Sequence, residues 1–221
     1  MSKIPEIKMI LLGESGVGKT SIIKRYLEDQ FDKNETSTLS MSYVGKTVKI
    51  DNKDIRLNIW DTIGQEKYRS ISKLFLNETK IVILVYSIDN GESFKELSYW
   101  YDLYKELLGE ETILGIAGNK MDLYLNQEVE EEKAKEYAES RGAIFSLVSA
   151  KDNKESIDNF IEKLLRAYLN KDNPKNEENN NGKGNTIKLD ENNVGESTQS
   201  ENGCCSGKKK NKKKDEKIIE N

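Results

Sequence analysis

Apolar residues in the first three-quarters of the chain fall into short continuous runs separated by amphipathic stretches. The runs predict strands at residues 8–12, 43–51, 55–60, 81–88, 113–118 and 143–148. The amphipathic stretches predict helices at 19–27, 93–108, 130–141 and 156–169. Within 93–108, Phe94, Leu97, Trp100, Tyr101, Tyr104, Leu107 and Leu108 recur at helical spacing. Continuous apolar strands alternating with helices imply an α/β fold: a mostly parallel sheet covered by helices on both faces. Runs 81–88 and 113–118 are the most apolar and should be the most buried. Runs 43–51 and 55–60 break the alternation, because only a short polar turn, Asn52-Lys53, joins them. That pattern predicts a hairpin. The expected sheet therefore has six strands, with one antiparallel strand at its edge.

After Leu169 the pattern collapses. Residues 171–203 are rich in Asn, Glu, Gly and Ser and cannot bury enough surface to offset chain entropy. They are expected to form a flexible linker with an end-to-end distance of roughly 30 Å. The division expected is a folded domain at 1–170, this linker, and a tail at 204–221 carrying two cysteines and a basic run.

Composition narrows the classes. Of 221 residues, 35% are hydrophobic and 33% charged, which suits a compact domain diluted by polar chain. The longest apolar run, Ile81-Val82-Ile83-Leu84-Val85-Tyr86, is far too short to span a bilayer. Nothing after Met1 follows the pattern of a secretory signal. Cys204 and Cys205 are adjacent and cannot staple a fold, and the absence of histidine removes His-based triads and His-bearing zinc sites. A cytosolic chemistry with a hard cation, or with no metal, is left. The net charge of −4 hides a gradient: residues 204–221 hold 7 basic and 3 acidic side chains, while the rest of the chain is acidic. The acidic body argues against nucleic-acid binding, and the basic end points to an anionic surface or partner.

Gly13-Glu14-Ser15-Gly16-Val17-Gly18-Lys19-Thr20 fits G-x-x-x-x-G-K-[ST], following an apolar run and opening a helical stretch. The glycines let the backbone curl so that successive N–H groups face phosphate oxygens, and the helix adds its positive end. Lys19 supplies a cation to the β- and γ-phosphates, and the Thr20 hydroxyl is placed to ligate Mg²⁺. Adenylate-type kinases, ATPases and GTPases all share this loop.

Three further motifs narrow the choice. Asn119-Lys120-Met121-Asp122 follows run 113–118, at a strand end that faces the ligand crevice of an open sheet. A carboxylate there accepts hydrogen bonds from guanine N1–H and the 2-amino group, donors that adenine lacks on that edge. Each such bond is worth about 1.5–3 kcal/mol. Asp61-Thr62-Ile63-Gly64-Gln65-Glu66 follows run 55–60: Asp61 can hold the Mg²⁺ shell, Gly64 can bring its N–H to the γ-phosphate, and Gln65 can orient the attacking water. Ser149-Ala150-Lys151 follows the last run and offers a backbone N–H to guanine O6.

Together these motifs, over residues 6–170, resemble the Ras superfamily of small GTPases. Ile59-Trp60-Asp61-Thr62, Lys67-Tyr68-Arg69-Ser70-Ile71, Leu84-Val85-Tyr86-Ser87-Ile88 and the double cysteine resemble its Rab branch. The resemblance implies a P-loop G domain acting as a GDP/GTP switch that hydrolyses GTP and regulates vesicle-mediated membrane traffic. It implies phosphate contacts from Gly13, Ser15, Gly16, Val17, Gly18, Lys19, Thr20 and Ser21, and base contacts from Asn119, Lys120, Asp122, Ser149, Ala150 and Lys151. Thr38 matches the first-switch threonine that reaches Mg²⁺ and the γ-phosphate, and Phe31 the aromatic packed on guanine. Metal ligation falls to Thr20, Thr38 and Asp61, and catalysis to Gln65 and Lys19. Tyr43, Trp60 and Phe75 match an aromatic cluster that effectors read, with hairpin core as the other reading. No intrinsic arginine finger is recognisable, so slow unaided turnover is expected, accelerated by a partner that inserts one. The implied partners are guanine nucleotide, an exchange factor, a GTPase-activating protein and effectors. The implied state is a cytoplasmic monomer reversibly associated with the cytoplasmic face of an endomembrane.

The sequence departs from the Rab pattern in places. Leu39-Ser40-Met41-Ser42-Tyr43 differs from the usual Ile-Gly-Val-Asp-Phe, and Ile63 replaces an alanine, where a β-branched side chain is expected to slow hydrolysis. Ser146-Leu147-Val148 lacks the usual Glu-Thr before Ser-Ala-Lys. Sixteen residues follow Cys205, so prenylation there would need trimming, and palmitoylation is the other acylation open to these cysteines. The lysine run 208–214 suits an anionic membrane surface, or a nuclear-import signal. Two other functions compete: a GTP-binding scaffold with little hydrolysis, and a P-loop kinase, which would need an acceptor lid that is not evident.

Overall fold

Strand β1 (Glu6–Leu12) shows how the sheet sorts its side chains. Ile7, Met9 and Leu11 point to one face, Ile10 and Leu12 to the other, as a period of two requires. The computed structural model describes residues 4–35, 38, 42–62, 76–109 and 111–172. After β1 come α1 (Lys19–Glu28), β2 (Ser42–Ile50), β3 (Lys53–Asp61), β4 (Thr79–Ser87), α2 (Gly91–Lys95) and α3 (Leu97–Leu108). Then follow β5 (Ile113–Asn119), a 3-10 segment (Met121–Asn126), α4 (Glu131–Glu139), β6 (Ile144–Leu147) and α5 (Lys154–Asp172). The strand order is β2-β3-β1-β4-β5-β6, parallel throughout except for the antiparallel edge pair β2–β3.

Both faces are covered. On one, Ile22, Ile23 and Tyr26 of α1 and Ile157, Phe160 and Leu164 of α5 pack against the sheet; on the other, Leu97, Trp100 and Tyr104 of α3 and Ala134 and Ala138 of α4 do so. β4 and β5 are buried almost throughout, as their apolar runs predict. The chain leaves β1 for β3 on one side and later β4 on the other, so the strand order reverses at β1. Ligand crevices of open α/β sheets form at such a switch point, beyond the strands' C-terminal ends.

Three local predictions need correction. The hairpin turn is Asp51-Asn52, one residue earlier than expected, with Ile50 paired to Lys53. Both turn residues have positive φ (48° and 63°), which matches the right-handed strand twist and which Asp and Asn tolerate. The single helix predicted at 93–108 is two helices meeting at Glu96. Ser93 fastens α2 to the end of β4, its Oγ accepting from the Ser87 N–H at 3.0 Å and donating to Asn90 O at 2.7 Å, while α3 follows the core. Helix α5 runs to Asp172, so the boundary expected at residue 170 falls inside a helix. Residues 173–203 of the expected linker and the tail 204–221 lie outside the described residues. Among the described residues no helix is long and apolar enough to cross a membrane.

Candidate nucleotide site

A cavity of about 520 Å³ opens where β1, β3, β5 and β6 end. The chain leaves β1 at Gly13, whose φ is +143°; a Cβ built there would lie 2.2 Å from the Val85 carbonyl oxygen on β4. Only glycine lets the loop turn away this close to the neighbouring strand. Gly18 begins α1 with φ +92°, and a Cβ there would lie 2.3 Å from Asn119 Nδ2. Between them the loop wraps Lys19, which is 5% exposed and donates from Nζ to Gly13 O and Glu14 O, both at 2.9 Å. Burial lowers the Lys19 ammonium to a pKa of about 8, against the pull of the Asp61 and Glu14 carboxylates. A buried, loop-held cation of this kind is built to meet negative charge.

Beside it three oxygen-bearing side chains converge. Thr20 Oγ1 donates to Asp61 Oδ2 at 2.8 Å. Its only hydrogen being spent, it accepts from Thr38 Oγ1 at 2.7 Å. Asp61 is buried; desolvation raises its carboxyl pKa, with the Thr20 hydroxyl and Lys19 opposing. Its Oδ1 is buried without a hydrogen-bond partner among the described residues. An all-oxygen set with an unpaired buried carboxylate oxygen fits a hard divalent cation. Thr62 Oγ1 donates to Leu11 O at 2.6 Å and ties the end of β3 to the end of β1.

The far end is assembled around Asn119 at the tip of β5. It is 1% exposed and bridges two loops, donating from Nδ2 to Val17 O at 2.8 Å and accepting at Oδ1 from the Ala150 N–H at 3.3 Å. Lys120 sits in the left-handed region (φ 63°), an uncommon conformation for lysine that turns the chain into the 3-10 segment and places it on the cavity wall. Asp122 accepts from Ser149 Oγ at 2.6 Å and lies 3.8 Å from Lys151 Nζ, yet a carboxylate has about four acceptor positions and keeps capacity for further donors.

The Ras family model matches residues 8–170, which include both ends of this cavity. The chain belongs to the Ras family. It is 38% identical over 205 residues to Ras-related protein Rab-31 of Homo sapiens, covering 93% of this chain and 100% of that one. It is 40% identical over 159 residues to Ras-related protein Rab-21 of Geodia cydonium, covering 72% and 69%. To Ras-related protein Rab-31 of Mus musculus it is 42% identical over 152 residues, covering 69% and 78%. It is a Rab-like small GTPase, an enzyme that binds guanine nucleotide and hydrolyses GTP.

Most of the site residues expected of such a GTPase line the cavity: Ser15, Gly16, Gly18, Lys19, Thr20, Ser21, Phe31, Thr38, Asn119, Lys120, Asp122, Ala150 and Lys151. Gly13, Val17, Asp61 and Ser149 stand just behind them as turn, anchor and support. Ile63, Gly64, Gln65 and Phe75 lie outside the described residues. Asp32, Lys33, Glu35, Thr62 and Leu123 also line the cavity and were not foreseen. Thr62 and Leu123 adjoin motif residues and could have been included on that ground; the polar stretch after Phe31 carries no periodic signal. Tyr43 and Trp60 pair across the hairpin with ring centroids 5.5 Å apart. Tyr43 is 49% exposed, so it is a surface aromatic, not hairpin core.

Proposed function

We propose that the chain is a GDP/GTP switch in vesicle-mediated membrane traffic, with Thr38 as the element that distinguishes the two nucleotide states. The carrying observation is the contact of the Thr38 and Thr20 hydroxyls beside Asp61 and the buried Lys19. Thr20, Thr38 and Asp61 would hold Mg²⁺, which supplies charge neutralisation at the phosphates. The backbone from Gly13 to Ser21 cradles those phosphates, and Lys19 adds its cation. Asp122 accepts from guanine N1–H and the 2-amino group, a backbone N–H of the Ser149-Ala150-Lys151 loop donates to O6, and Phe31 and the Lys120 stem cover the base. Gln65 orients the attacking water and Gly64 reaches the γ-phosphate. Loss of that phosphate leaves Thr38 without one of its partners, and the change is read by effectors at the surface that holds Tyr43 and Trp60. An activating protein that inserts an arginine accelerates the reaction by about 10³–10⁵, and an exchange factor resets the switch.

Residues 173–203 tether the domain to the cytoplasmic face of an endomembrane, and the lysine run 208–214 contacts anionic lipid at about 1 kcal/mol per lysine near the surface. Deleting 206–221 is expected to shift the protein from membrane to soluble fractions; unchanged partitioning rejects that contact. The switch itself is tested with protein purified in magnesium. It should carry guanine nucleotide and turn over GTP slowly, and Thr38→Ala should weaken its hold on a non-hydrolysable GTP analogue more than on GDP. Equal weakening, or preference for ATP, defeats the proposal.

A further inference from the structure

Arg25, in the last turn of α1, lies outside every motif, and its side chain is only 17% exposed. Its guanidinium reaches across the fold to the loop after β6. Nε donates to Ala150 O at 2.6 Å and Nη2 to Lys151 O at 2.6 Å. Nη1 donates to Asp29 Oδ1 at 3.0 Å and to Asp29 O at 3.2 Å, at the left-handed residue that caps α1. One planar fork therefore fixes two successive carbonyls of the base loop and the end of the helix two residues before Phe31.

Peptide planarity gives this grip a direction. The Ala150 C=O and the Lys151 N–H belong to one trans peptide unit and point opposite ways. Holding the carbonyl on Arg25 therefore sets where the Lys151 N–H points, and Ala150 and Lys151 both line the nucleotide cavity. The Ala150 N–H itself donates across a long 3.3 Å bond to Asn119 Oδ1. We propose that Arg25 is a positioning residue for recognition of the guanine 6-oxo group, acting by clamping the Ala150 and Lys151 carbonyls so that the Lys151 N–H is preset for that oxygen. The inference rests on the guanine reading of the site and adds the residue that tunes how tightly the base is held.

The test uses the full chain with magnesium and measures release of GDP, 6-thio-GDP and inosine diphosphate. Sulfur at position 6 is a poor acceptor, so 6-thio-GDP reports the N–H contacts. Inosine diphosphate lacks the 2-amino group and reports Asp122. The unaltered protein should release GDP more slowly than either analogue. Arg25→Ala should speed GDP release about tenfold, the loss of one charge-assisted bond's worth of binding. It should also narrow the GDP preference over 6-thio-GDP while leaving the preference over inosine diphosphate. Arg25→Lys keeps the charge and the helical propensity but cannot fork across two carbonyls, so it should follow Arg25→Ala. An unchanged 6-oxo preference in both variants overturns the inference, as does equal erosion of both preferences, which a merely structural role would give. If the unaltered protein holds no guanine nucleotide, the guanine reading itself has failed; if it discriminates and the variants do not differ from it, only the role of Arg25 has.

Discussion

The phosphate end and the base end of the cavity are built by different means. At the phosphate end one contiguous loop forms the cradle through backbone torsions, with Lys19 bonding carbonyls only five and six residues away, and Asp61 and Thr38 join it through Thr20 across 41 and 18 positions. At the base end, Asn119 reaches Val17 across 102 positions, Asp122 meets Ser149 across 27, and Arg25 reaches Ala150 and Lys151 across 125 and 126. The first grip forms wherever the loop can fold and is blind to the base. The second exists only once β5, β6 and α1 are in register, so base recognition is bound to tertiary structure and graded by individual side-chain bonds.

Breaking the backbone device should have the largest effect. Gly13→Ala puts a methyl carbon 2.2 Å from Val85 O at a φ of +143°, so either the loop or β4 must move. Overpacking and backbone strain together cost roughly 3–5 kcal/mol. The melting temperature should fall by about 10 °C, and the purified protein should lose its nucleotide whatever the base. A variant that melts normally and keeps GDP would show that the loop is not the rigid part. Asn119→Ala comes next because it cuts the tie between the two ends. Val17 O and the Ala150 N–H lose buried partners at about 1–3 kcal/mol each, which predicts GDP release roughly 10²–10³-fold faster. Stopped-flow release of a fluorescent GDP measures this, and less than a tenfold change would mean that the two ends are held together by other contacts.

The same contrast explains what was legible in the sequence. The phosphate loop is a contiguous string whose geometry follows from its glycines, and the strands and helices announce themselves by period. Asp51-Asn52 was misplaced by one residue because Asp, Asn and Lys are all plausible turn formers until the φ angles are known. The 3-10 segment Met121–Asn126 was missed because Tyr124 and Leu125 are exposed, 67% and 84%, and follow no buried stripe. Arg25 could not be found at all: its partners are backbone carbonyls, which every residue has, so no side-chain identity at the far end marks the contact.

Replacing the base-reading carboxylate should have an intermediate effect and separate the ends chemically. On the proposed assignment, Asp122→Asn leaves one acceptor oxygen and puts an NH₂ where the second accepted from guanine, a loss of about 1.5–3 kcal/mol, or tenfold to a hundredfold in GDP affinity. The new amide can donate to a carbonyl at position 2, so xanthosine diphosphate should gain where GDP loses. Chelating magnesium should speed release of both nucleotides from this variant by the same factor, because the proposed metal ligands Thr20, Thr38 and Asp61 lie at the phosphate end. Competition binding measures the swap, and a different chelation factor for each base would show that the ends are coupled through the nucleotide.

The smallest effect, and the sharpest test of separability, comes from the support behind that carboxylate. Ser149 is 1% exposed; its Oγ donates to Asp122 Oδ1 at 2.6 Å and accepts from the Asp152 N–H at 3.0 Å. Ser149→Ala removes both bonds while Lys151 still stands 3.8 Å from Asp122, so the carboxylate keeps a partner and loses only its orientation. A net hydrogen bond is worth about 1 kcal/mol, which predicts roughly fivefold weaker GDP binding. Since the loss falls on the group proposed to read the 2-amino donor, the preference for GDP over inosine diphosphate should narrow. The preference between GTP and GDP should hold, because the proposed switch places its readers, Thr38 and Lys19, at the other end. If displacement assays find the GTP-over-GDP preference moving more than the GDP-over-inosine preference, then a side chain at the base end reaches the γ-phosphate site, and the local grip is not local.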